Sequence, residues 1–123
     1  MPYSTGLITN TRALGTAAST VFVNARNITN VEALIIIEVY VVSDSMPLTL
    51  AYLSGFMLAG KSGDKREFFI GGDSAYEVQL SVINPLTEVV LSTFGVDEFG
   101  NLVDGHRVLQ EEMTVISLLS TTP

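Results

Sequence analysis

One block constrains this chain more than any other: Val31 to Val42, reading VEALIIIEVYVV. It is β-branched, nearly continuous in apolar character, and broken only by Glu32 and Glu38. A strand this apolar must be buried on both faces or paired with another chain, because an exposed one would aggregate. The chain around it has no cysteine and one histidine. Its sequence is committed to β-packing and holds almost no catalytic groups, which points to a structural or binding role.

Strand-like runs and turn chemistry alternate on both sides of the block. Thr20 to Ile28 alternates and is rich in β-formers, and Asn27 to Asn30 is a turn. Ser43 to Pro47 breaks the long run, and Pro47 forbids a continuing central strand. Leu48 to Leu58 resumes, with Ser54-Gly55 as a bulge or kink. Gly60 to Asp64 reads as a hairpin loop, and Arg66 to Ile70 as a short strand closed by Gly71-Gly72-Asp73. Ala75 to Ile83 has the cleanest period of two: Tyr76, Val78, Leu80 and Val82 face one way, Glu77, Gln79 and Ser81 the other. Asn84-Pro85 turns into the strand Glu88 to Val96, and Asp97 to Gly105 is a turn-rich link. His106 to Leu119 closes the fold; Arg107 to Met113 carries helix formers but reads as strand, because Thr114 to Leu118 continues as strand.

Seven or eight strands with turns between them imply an all-β fold, an antiparallel jelly-roll-like sandwich with an extended N-terminal arm. The expected organisation is an arm over residues 1–18, a sandwich over 19–119 and a tail over 120–123. At 123 residues this is one domain, long enough to bury roughly two-thirds of its surface.

Charged residues make up 15% of the chain, against a usual share of about a quarter. So low a share suits a surface partly covered by other subunits, and equally a small polar sandwich. The net charge is −7, and the six basic residues are scattered except for Lys61 to Arg66, where Asp64 and Glu67 dilute them. Nucleic acid and anionic membranes need basic patches and are excluded as partners. The lack of cysteine excludes a disulfide framework, a thiolate nucleophile and a cysteine-ligated zinc. No stretch reaches the roughly eighteen uncharged apolar residues of a membrane helix. The start, Met1 to Gly6, lacks the basic and apolar regions of a signal peptide, so synthesis in the cytoplasm is expected.

Candidate chemistry is sparse. His106 has no second imidazole for a metal site and no G-x-S-x-G serine for a triad. It reads as a hairpin-end residue with a hydrogen-bonding or surface role. Asp97, Glu98, Asn101 and Asp104 could offer oxygens to calcium, but their spacing is not that of a calcium loop, and Phe99-Gly100-Asn101 reads as a β-turn. Glu111 and Glu112 point to opposite sides of a strand, and Gly71-Gly72 is a turn with no helix after it to hold phosphate. Asn27-Ile28-Thr29 is a glycosylation acceptor without a visible secretory route. The expectation is no catalytic residue, no cofactor, no metal and no enzymatic activity.

Residues 1–18 are small and polar, with Leu7, Ile8 and Leu14 as their only large aliphatics. Such a segment cannot build a core alone. An extended polar leader before a sandwich suits strand addition to a neighbour, with Leu7, Ile8 and Leu14 as docking anchors. Donor and acceptor surfaces would differ, so the contact would close into a ring or run on as a filament.

Four segments carry a family resemblance: Ala75-Tyr76-Glu77-Val78-Gln79; Val90 to Gly95 (VLSTFG); Phe99 to Val103 (FGNLV); and Arg107-Val108-Leu109 followed by Glu111, Glu112 and Thr114. Together they resemble small spore-surface β-proteins of Bacillus and Paenibacillus relatives, in particular the endospore appendage (Ena) pilin family. The likeness spans about residues 20 to 118 and is densest from 75 to 114. It implies a jelly roll with a flexible N-terminal connector that stacks into spore-surface fibres by strand augmentation. Its partners would be other copies of the chain and other spore-surface proteins. The chain departs from the family in lacking connector cysteines, so its contacts would be non-covalent.

The sequence therefore reads as a self-assembling structural subunit of a spore-surface fibre or appendage. The alternative is a non-enzymatic ligand- or protein-binding sandwich of the spore coat or exosporium, as a monomer or closed trimer. A sugar platform is weakly supported, with no tryptophan and only Tyr3, Tyr40, Tyr52 and Tyr76.

Overall fold

The computed structural model describes residues 2–43, 46–84 and 86–121. Its strands are β1 (Tyr3–Ser4), β2 (Ile8–Thr9), β3 (Thr20–Asn27), β4 (Ala33–Ser43), β5 (Met46–Leu58), β6 (Gly63–Phe69), β7 (Ala75–Val82), β8 (Val89–Val96), β9 (Val108–Leu109) and β10 (Thr114–Val115). One sheet runs β10-β1-β7-β4-β5, with β2 also on β7; the other runs β6-β3-β8-β9. All the pairings are antiparallel. The two sheets face each other across one core, so the chain is an all-β sandwich.

The period of two fixes what enters that core. Val21, Val23 and Ala25 of β3 point inward, as do Ile35, Ile37 and Val39 of β4 and Tyr76, Val78 and Leu80 of β7. Each large aliphatic side chain buried this way contributes about 1.5–3 kcal/mol. The apolar block becomes β4, hydrogen-bonded to β5 on one edge and β7 on the other. None of its residues is exposed, as its composition requires.

Four local expectations change. Pro47 lies inside β5, which tolerates it because β5 is an edge strand. The register of β5 slips opposite Val39/Tyr40, where Ala51 is the extra residue, and not at Ser54-Gly55. Gly60 to Asp64 is no hairpin loop: β5 and β6 lie in different sheets, so the turn carries the chain across the sandwich. The closing segment is not one strand but β9, a single 3₁₀ turn at Gln110–Glu112, and β10.

The N-terminal segment differs more. Within this chain it is part of the first sheet. Tyr3 pairs with Leu80 and with Val115, and Ile8 pairs with Tyr76. Polar composition concealed this because strand pairing uses the main chain, which every residue carries.

Candidate assembly interface

The arm lies along the edge of β7 left free by β4. Thr5-Gly6-Leu7 oppose only Glu77-Val78, so the arm bulges there, and Gly6 takes a φ of 73°. The bulge turns Leu7 outward to 59% exposure, while Ile8 is half-buried and packs against the core. Residues 10–18 then fold back as a compact loop held by Asn10, which is fully buried. Asn10 donates from Nδ2 to the carbonyls of Ala18 (3.0 Å) and Asp73 (3.1 Å) and accepts from the Ala18 amide (2.7 Å). Leu14 sits near the loop tip, 84% exposed, and Arg12 beside it forms an exposed ion pair with Glu98 at 2.7 Å. The three residues expected as docking anchors are thus separated: Ile8 is tied inward, and Leu7 and Leu14 face solvent at different places.

His106 is buried rather than superficial, and it locks the arm. Its Nε2 lies 3.1 Å from the Thr9 carbonyl of β2, and its Nδ1 3.0 Å from the Tyr76 hydroxyl of β7. A carbonyl can only accept, so Nε2 carries the proton and Nδ1 accepts from Tyr76. The ring lies on bare backbone: a Cβ at Gly95 would come within 2.5 Å of Nδ1. Burial lowers the His106 pKa, and the Thr9 carbonyl opposes that only in part. Burial also pushes the Tyr76 hydroxyl up. No third group completes a triad among these contacts.

The outer face of the first sheet divides into two halves. Over one half the C-terminal residues form a strap. The Ile116 amide donates to the Pro2 carbonyl, Ser120 exchanges hydrogen bonds with Gln79, and Thr121 donates to Glu38. Below the strap Tyr40 donates to Glu38 at 2.6 Å, and Ser4 and Gln79 donate to Glu77. Glu38 is 1% exposed, yet no cation bonds it among the described residues. Neutral donors satisfy it instead. Burial and the adjacent Glu38 carboxylate push the Tyr40 hydroxyl up to about 12. The expected tail at 120–123 is therefore tied down as far as Thr121; 122–123 lie outside the described residues.

The other half of that face is open. Leu34 and Ile36 of β4 are half-buried beside Leu53 and Met57 of β5, which are 63% and 54% exposed. Leu48 and Leu50 are also exposed. Across the described residues no strand pairs the far edge of β5, and residues 46–58 contain no charged side chain. The signal was present in the sequence as the uncharged run after Pro47, but which edge it occupied depends on the pairing order.

The remaining candidates resolve simply. The Asp97 carboxylate accepts from the amides of Phe99 and Asn101, and Gly100 has a φ of 84°, which makes this a turn. Asn27 is fully buried and donates to Val31 and Leu58 carbonyls, so it presents no acceptor for a glycan. Among the described residues no group of three or more His, Asp or Glu could hold a metal ion, and no helix is long and apolar enough to cross a membrane. Searches against family models, curated proteins and solved structures found no match to this chain.

Proposed function

We propose that this protein is a self-assembling structural subunit, a jelly-roll-like sandwich joined to other copies of itself by β-strand augmentation. The observation that carries the reading is β5, an edge strand of 13 residues without a charge. Natural edges are blunted by charges, prolines and bulges, or are covered. β5 has Pro47 and a register shift near its start and a bulge near its middle, and it adjoins an apolar half-face. On a chain of net charge −7, a neutral surface is where two copies meet with least repulsion.

The placement on a spore-surface fibre or appendage rests on the sequence resemblance. In that setting the arm would leave its own β7 for a neighbour's, an exchange of one pairing for the same pairing between chains. Deleting residues 1–15 would then remove β1 and β2 along with the connector, so it is a poor test. The sharper experiment is light scattering with negative-stain microscopy on the wild type and on a Leu53→Lys/Met57→Lys variant. The wild type is expected to form regular assemblies and the variant to stay monomeric and folded. A wild type that is monomeric at every concentration would overturn the reading.

A second reading, a ligand- or protein-binding module, is favoured by an open groove of about 690 Å³ lined by Tyr3, Val90, Leu109, Met113 and Val115. A glycan or peptide bound there by a monomer would reverse the order.

A further inference from the structure

We propose that His106 is an acid-sensitive latch: its protonation withdraws the imidazole from Tyr76 and Thr9 and frees the N-terminal strand pair from β7. The latch lies within one chain and needs no second copy.

The geometry sets the sign. In its neutral form the ring satisfies two partners at once, donating to the Thr9 carbonyl of β2 and accepting from the buried Tyr76 hydroxyl of β7. A second ring proton ends the acceptor role at Nδ1. The Tyr76 hydroxyl is then turned from donor to acceptor, and its own hydrogen points into a core where it has no other acceptor among the described contacts. The charge itself finds no counter-ion. Of the elements packed on the ring, β2 presents only a carbonyl, β7 a phenol and β8 the bare backbone of Gly95. The depression that the ring borders also carries Asp104, Arg107 and Glu112. All three are exposed, and none hydrogen-bonds the imidazole. A buried, unpaired cation is costly, and the short route to water is outward through that depression. Leaving by it strips the Thr9 carbonyl of its partner.

The arm is the element this disturbs most. β1 and β2 are two residues each and are separated by the bulge at Gly6, so few main-chain bonds hold them. β3, β4, β7 and β8 pair through 8 or more residues each and do not touch the imidazole through a hydrogen bond, apart from Tyr76. Burial lowers the His106 pKa, so the folded chain resists the proton that the unfolded chain accepts. The latch is therefore complete above the ordinary histidine value of 6.5 and is lost as pH falls through the lower folded value.

Amide hydrogen exchange on the wild-type chain tests this at about pH 7.5 and about pH 5, after correction for intrinsic rates. The amides of Thr5 and Asn10, which donate to Val78 and Ser74, are expected to lose protection about fivefold on acidification, what one net hydrogen bond is worth. Amides of β3 and β8 are expected to keep theirs. His106→Gln can hold both contacts without titrating and should abolish the difference. Equal arm protection at both pH values overturns the latch, as does a drop that survives in His106→Gln. If that variant does not fold, Tyr76→Phe decides: removing the hydroxyl that occupies Nδ1 should move the transition to higher pH, and an unmoved transition overturns the proposal.

Discussion

The Thr121 hydroxyl donates to Oε2 of Glu38, tying the end of the described chain to the middle of its most apolar strand. Glu38 is buried with Tyr40 as its other donor, so each neutral donor carries part of the job a cation would otherwise do. Thr121→Val keeps the shape and removes one donor. We expect it to lower stability by about 1–2 kcal/mol, less than a fully buried charge would lose because the strap can part and admit water. A urea titration reads this as a lower midpoint with an unchanged slope. An unchanged midpoint would mean that the strap holds nothing.

The same cluster sets an alkaline limit. Tyr40 has its hydroxyl pushed up to about 12 by burial and by Glu38, from an ordinary value of 10.0. Because the folded value lies above the unfolded one, the stabilisation is whole below pH 10 and is lost as pH rises through about 12. Urea midpoints measured from pH 9 upward should therefore fall across that window. Tyr40→Phe is expected to flatten the fall, although Tyr76, also raised, keeps part of it. A Tyr40→Phe variant with the full wild-type slope would contradict the assignment.

The sandwich was legible where side chains alternate against a core. β3 and β7 follow from Val21/Val23 and Tyr76/Val78 recurring every second residue, and β4 from its nearly unbroken apolar run. It was illegible where pairing depends on main chain or on distant chain. Tyr3-Ser4 and Ile8-Thr9 carry no apolar alternation long enough to read, and they become strands only because β7 has a free edge. Gln79 and Ser81 were read correctly as facing away from the core, yet both are buried on that outer face, Gln79 beneath the C-terminal strap. Of the candidate site, the open apolar run after Pro47 was visible, whereas the His106 seat needed Gly95 and Thr9 brought beside it from other strands.

Asn10 is the point where the arm, its loop and the Asp73 turn meet. Asn10→Ala would leave the amide and carbonyl of Ala18, which is fully buried, and the partly buried carbonyl of Asp73 without their partner. At roughly 0.5–1.5 kcal/mol for each of these bonds, the loss is expected to be about 2–4 kcal/mol. The change should appear as a lower urea midpoint and as faster exchange of the Ala17 and Ala18 amides, both of which donate to Asn10. A substitution within about 0.5 kcal/mol of wild type would mean that the loop closes without it.

Thr93 offers the opposite sign. It sits on the core face of β8, fully buried, and its Oγ1 is the one buried side-chain oxygen or nitrogen among the described residues without a hydrogen-bond partner. Leaving a hydroxyl dry and unpaired costs about 1–3 kcal/mol. Valine has nearly the same shape, favours strands and carries no polar atom to desolvate. Thr93→Val is therefore expected to raise stability by about 1 kcal/mol, read as a higher urea midpoint and a melting temperature several degrees higher for a domain of this size. Destabilisation instead would mean that the hydroxyl is satisfied in solution, by a water lodged between the sheets, and that the core at β8 is wetter than its packing implies.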